Sequence, residues 1–187
     1  PRSLLPEVSE GLRRFASKEH PDVTELLTNV LKGALLVSLD AAELKRVSEM
    51  VATQGDPQRG PKLYLNNKAV ACMSCHRLEG VGGNVGPDLT RVWEALSLEK
   101  TIESMLDPSR EIKEGYPTYV ATTKKGLTVS GLKVSQSAKE LILRDPTGKE
   151  VRIAADDLED LVASKKSLMP DDVVRHLAFG EFIDLVA

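Results

Sequence analysis

The sequence of 187 residues predicts a mainly α-helical domain that carries an inserted small antiparallel β module and an N-terminal helical extension. Three observations predict it. Apolar residues recur at helical spacing up to residue 54 and again over 97–106, the period changes to two between 116 and about 155, and the chemistry-bearing residues gather in one short segment, Cys72-Met73-Ser74-Cys75-His76. With 41% hydrophobic residues the chain can bury one core and a satellite layer.

Residues 1–54 form the expected extension. Leu12, Phe15 and Ala16 make one helical stripe, and Val23, Leu26, Leu27, Val30 and Leu31 make another. Asp40 with Glu43 has the spacing of a capping box, which opens a helix from Ala41 to Thr53. These helices read equally as the tail of a helical repeat or as an extension packed on the domain that follows. That domain, 55–187, opens at Gly55, where Asp56 can cap a helix with Pro57 at its first position and an end near Leu65. Ser97 starts the next helix, whose stripe Leu98, Ile102, Met105 and Leu106 faces a core, and Asp107-Pro108 ends it while capping a short successor. Four strands follow within 116–155, around Tyr119–Thr123, Leu127–Val134, Glu140–Arg144 and Glu150–Ile153, with turns at Lys124-Lys125-Gly126 and Asp145-Pro146-Thr147-Gly148. A terminal helix is expected from Phe179, where Ala178 supplies no side-chain cap.

The segment from Cys72 to His76 has the order that covalent haem attachment requires. Each thiol can add to one vinyl group, and the next residue is an imidazole placed to ligate iron from one face. A thioredoxin-type redox pair would not need His76. A structural zinc site would want four ligands, whereas the chain has two cysteines, and His20 and His176 lie far off in sequence. Downstream, Gly80-Val81-Gly82-Gly83-Asn84-Val85-Gly86-Pro87 lets the backbone pass close to a flat macrocycle, and Pro87 is the candidate whose carbonyl orients His76. Arg91 and Trp93 are candidate donors to a haem propionate, against the ordinary readings of a surface arginine and a core tryptophan.

Of the four methionines, Met73 lies inside the attachment motif, and Met50 and Met105 read as core. Met169, in the irregular Ser167-Leu168-Met169-Pro170 segment, is kept out of a helix interior by its proline and is the expected sixth iron ligand opposite His76.

Gly55-Asp56-Pro57 with Gly60 and Tyr64, the Cys72–His76 motif, Val85-Gly86-Pro87-Asp88-Leu89-Thr90, Ser104-Met105-Leu106-Asp107-Pro108-Ser109, Gly115-Tyr116, Ser167-Leu168-Met169-Pro170 and Glu181-Phe182-Ile183-Asp184-Leu185 together resemble the cytochrome c haem-binding domain common in planctomycetes and verrucomicrobia. The resemblance covers about 55–187. It implies a class I-like cytochrome c fold whose third helix and methionine loop are separated by a β-rich module, with Met169 as distal ligand. Such domains typically end long secreted chains, behind a β-propeller of sugar-dehydrogenase type and helical repeats. The chain departs from the pattern at Met105, where relatives carry Ile, at Ala178, where Ser or Thr commonly caps the last helix, and at Ala187, beyond which relatives usually continue.

The expected function is therefore a monohaem c-type cytochrome domain, not itself an enzyme. It would hold one covalently attached haem c and its iron, and carry single electrons from a dehydrogenase to a cytochrome or oxidase. If Met169 does not ligate, the alternative is a five-coordinate haem sensor or a peroxidase-like enzyme; a haem that only staples the fold is a third reading. The net charge of −3, without a basic run, gives no reason to expect nucleic acid, and no apolar run of about 18 residues encodes a membrane span. A chain opening on Pro1 is expected to be a processed or excised segment, and haem attachment of this kind implies a periplasmic or otherwise exported location.

Overall fold

The computed structural model describes residues 39–67 and 70–187, so the stripes expected before residue 39, and His20, lie outside the described residues. These residues group into two compact units, one of 39–71, 93–107 and 171–187 and the other of 72–92 and 108–170.

The first unit is helical. Helix α1 (Ala41–Gln54) begins at the expected capping box: Asp40 Oδ1 accepts the Glu43 N–H at 2.8 Å and Glu43 Oε2 accepts the Asp40 N–H at 2.7 Å. Its inward face carries Leu44, Val47, Met50 and Val51, so Met50 is a core residue, as expected. Helix α2 (Gly60–Asn66) starts later than expected. The Arg59 and Gly60 N–H groups both bond to Asp56 O, closing a turn through Pro57, and the proline of the first helical turn is Pro61.

Helix α5 (Leu98–Leu106) is capped by Ser97, whose Oγ accepts the Lys100 N–H at 3.2 Å, and buries Ile102 and Leu106. Pro108 ends it as expected, but Pro108–Arg110 form a turn and not a further helix. A 3-10 turn (Val173–His176) leads to helix α6 (Phe179–Val186), which buries Phe179, Phe182 and Ile183. Helix α1 packs on α5 and α6, and α2 packs on α6.

Two glycines permit the closest approach to α6. A Cβ at Gly60 would stand 2.5 Å from Asp184 O, and one at Gly55 would stand 3.0 Å from Ile183 O. There the buried Asp184 carboxylate accepts the Asp56 N–H at 2.9 Å and meets the Arg59 guanidinium at 3.0 Å, tying the start of α2 to α6.

The second unit corrects the expectation of a mainly α protein. Its module is a five-stranded antiparallel sheet, β3 (Thr118–Thr123), β4 (Thr128–Gln136), β5 (Glu140–Arg144), β6 (Glu150–Ala154) and β7 (Leu158–Ala163), in the order β6-β5-β4-β3-β7. With the two-stranded hairpin of β1 (Arg77–Leu78) and β2 (Val81–Gly82), strands make up 24% of the described residues against 34% in short helices, a mixed composition. The module runs to 163, beyond the expected 155, because Leu158-Glu159-Asp160-Leu161 is a strand. Acidic residues are poor strand formers, yet Leu158 and Leu161 reach the same core as Ala121, Leu141, Leu143 and Ile153, and pairing with β3 outweighs local preference. Since β6 and β7, the opposite edges, both feed this one core, the sheet curls on itself.

Candidate functional site

Cys72 and Cys75 occupy a single helical turn, α3 (Cys72–Cys75), closed by the His76 N–H donating to Cys72 O at 2.9 Å. Spacing of three in a helix puts the two thiols on one side. Neither is in a disulfide, and both are half-buried. Burial pushes the Cys72 thiol up, and a backbone hydrogen bond only partly opposes it. The turn is entered through Ala71 at φ 50, a left-handed conformation that costs an alanine about 1–2 kcal/mol and re-aims the chain at the first thiol.

The glycine loop wraps this turn closely. Gly83 N–H donates to Met73 O at 2.8 Å, and Val85 and Gly86 N–H both donate to Cys75 O, at 3.0 and 2.7 Å. A side chain at Gly83 would collide with the Ser74 carbonyl. Gly86 lies flat against the imidazole: a Cβ there would stand 2.5 Å from His76 Cε1 and 2.7 Å from Nδ1. One residue on, Pro87 O sits 2.9 Å from His76 Nδ1. That oxygen can only accept, so Nδ1 carries the hydrogen and the lone pair falls on Nε2. Burial holds His76 below its ordinary range, with the Pro87 bond opposing, and so favours the neutral ring.

Beyond Pro87 the loop is fastened to the β1–β2 hairpin. Leu89 N–H donates to Arg77 O at 2.7 Å, and Glu79 N–H donates to Thr90 Oγ1 at 2.8 Å.

Met169 belongs to the same unit as His76 and is half-buried. Its segment is pinned in steps: Met169 N–H donates to Ser167 Oγ at 3.1 Å, and Ser167 N–H donates to Ser109 Oγ at 3.2 Å. Serine at 109 and 167 thus does what a regular element would otherwise do. Arg91 is exposed in the second unit, whereas Trp93, in α4 (Val92–Ala95), falls in the helical unit and is 69% exposed, so the ordinary reading of Trp93 as core does not hold. The structure thus gathers Cys72, Cys75, His76 and Pro87 into one constellation within the second unit. Sequence reasoning did not single out Gly86 by itself; its signal is its position one residue before the orienting proline.

These residues fit a covalently held haem. Two half-buried thiols share a helical side, a neutral imidazole is fixed in the tautomer that offers Nε2, and the chain beside the ring has no Cβ where one would collide with it. Among the described residues no three His, Cys, Asp or Glu side chains converge on a metal position, and no helix is long and apolar enough to cross a membrane. A macrocycle supplies four of the iron's donors itself and asks the protein for two. No protein-family model and no curated protein matches the chain.

Proposed function

We propose that this chain is a monohaem c-type cytochrome domain, of the kind its motifs resemble, that carries single electrons between an exported dehydrogenase and a cytochrome or oxidase. The observation that carries the reading is the 2.9 Å contact of His76 Nδ1 with Pro87 O, within a loop that Gly86 allows to lie on the ring. A redox dithiol or a surface turn has no use for that arrangement. Bound haem supplies reversible one-electron chemistry at iron.

The residues of the chain supply the rest. Cys72 and Cys75 hold the group by thioether bonds, so it is not lost on unfolding of a distal segment. His76 presents Nε2, and Pro87 accepts from Nδ1, which fixes the ring and raises its basicity. Met169 is the residue that would supply the second ligand, a thioether sulfur, which would favour the reduced state. With His76 and Met169 both holding it, the group would reorganise little between oxidation states, which would suit electron transfer.

Expression with an export signal and a cytochrome c maturation system tests the reading. Acid-acetone treatment leaves colour with the polypeptide, intact mass exceeds that of the chain by one haem, and neither thiol alkylates. Extractable haem or two reactive thiols would overturn the reading. The weak red-end band of thioether-ligated ferric haem reports Met169; colour without that band favours the five-coordinate sensor or peroxidase-like enzyme.

A further inference from the structure

The β module touches the loop that holds the proximal imidazole, and the touching residue is charged. Arg144, the last residue of β5, donates from one guanidinium nitrogen to Asn84 O at 3.1 Å and from the other to Glu150 Oε1 at 3.3 Å. Glu150 is its cross-strand partner on β6. The ladder continues along the sheet: Glu150 Oε2 lies 3.7 Å from Arg152, whose other nitrogen bonds Glu140 Oε1 at 2.9 Å. Glu150 thus holds one arm of the Arg144 guanidinium while Asn84 O takes the other, and the Arg144 side chain is only 24% exposed.

The β5–β6 turn lies beside the same loop. A Cβ added at Gly148 would come into ordinary van der Waals contact with Val85 Cγ2, at 3.6 Å, and would stand 4.0 Å from Asn84 Oδ1, so the turn passes beside the loop. Val85 is buried, and its N–H is one of the two that grip Cys75 O. From Asn84 the chain runs through Gly86, against the imidazole, to Pro87, which accepts from it. Arg144 thus holds the loop three residues before the oxygen that orients His76.

We infer that Arg144 is a positioning residue: by holding Asn84 it keeps Pro87 O at hydrogen-bond distance from His76 Nδ1, and the β module thereby sets the donor strength of the proximal ligand. The inference rests on the cytochrome reading for its effect on iron, but not for its effect on the imidazole. A firm Nδ1–H···O bond makes imidazole a stronger donor and favours ferric iron; a loosened one moves the reduction potential upward. Loss of a positive charge acts the other way, because it disfavours the reduced state.

The test compares Arg144→Gln with Arg152→Gln, which removes the same charge from the same ladder without touching Asn84. In Arg144→Gln the His76 Nδ1 proton, followed by NMR, exchanges about tenfold faster than in the parent chain, while Arg152→Gln leaves it unchanged. In the haem-loaded chain the potential of Arg144→Gln lies above that of Arg152→Gln. Unchanged exchange in Arg144→Gln, or equal potentials for the two variants, would overturn the inference. The exchange comparison is made on the full chain before as well as after haem attachment, so a chain that takes up no haem sinks the cytochrome reading while the hold of Arg144 on the loop is still read.

Discussion

Gly86→Ala separates a steric role from a conformational one. Gly86 is not in the left-handed region, so alanine meets no backbone penalty there. Its Cβ would stand 2.5, 2.7 and 2.9 Å from Cε1, Nδ1 and Nε2 of His76, against an ordinary contact of about 3.5–4 Å. The ring or the loop must therefore retreat by about 1 Å, and a shift of that size takes the 2.9 Å Nδ1···O contact with Pro87 out of hydrogen-bond range. Overpacking of this kind costs about 1–3 kcal/mol and a lost hydrogen bond about 0.5–1.5, so the variant loses about 1.5–4.5 kcal/mol and remains folded only if the parent has the ordinary ~5–15 kcal/mol.

Denaturant unfolding of the two chains measures the loss, and imidazole NMR reports the Nδ1 proton. Gly80→Ala is the control. Its φ of +82 imposes about 1–2 kcal/mol of backbone strain on alanine, but nothing lies within 4 Å of the added methyl, so His76 is undisturbed. A Gly86→Ala chain with parental stability and an unchanged Nδ1 proton would refute the claim that the loop is shaped to lie on the ring.

Met169→Ala opens the distal face of the loaded protein, lowers its reduction potential and lets carbon monoxide bind the ferrous form rapidly, whereas Met105→Leu costs under about 1.5 kcal/mol of repacking and leaves the spectrum alone; the reverse pattern would move the ligand to Met105. Ala178 has N-cap geometry, φ −69 and ψ 155, and its N–H donates to Glu181 Oε2 at 2.8 Å, but alanine offers no oxygen in return. Ala178→Ser completes the reciprocal pair and raises stability by about 0.5–2 kcal/mol, read as a higher denaturant midpoint without spectral change. In the haem-free chain His76 titrates below its unfolded value of 6.5, so the unfolded state takes up its proton first. Stability therefore falls as pH drops through about 6.5 toward the lowered folded value, and His76→Gln flattens that segment of the stability–pH curve.

What was legible in the sequence follows from the range of the interactions concerned. The capping box at Asp40 and Glu43, the Ser97 cap and the turns flanking β4, β5 and β6 are formed by residues within a few positions of one another, and each appears at or near its expected place. The proximal contact was also legible, because His76 and Pro87 are eleven residues apart and the glycines between them advertise a chain that must pass close to something flat. The start of α2 was not. Asp56-Pro57 has the form of a cap and first turn, but the Asp56 N–H is taken by Asp184, at the far end of the chain, and the helix waits for Gly60, the residue that α6 allows to come close.

Strand β7 was missed for the same reason. Leu158-Glu159-Asp160-Leu161 carries too much acid for a strand judged by its own residues, and only the unpaired edge of β3 makes it one. That strand, absent from the expected four-stranded module, lets both edges of the sheet share one core, in the module whose Arg144 reaches the glycine loop. The module has a core of its own, Ala121, Leu141, Leu143 and Ile153, and a segment with a core can hold a neighbouring loop in place, which an isolated hairpin, marginally stable at best, cannot.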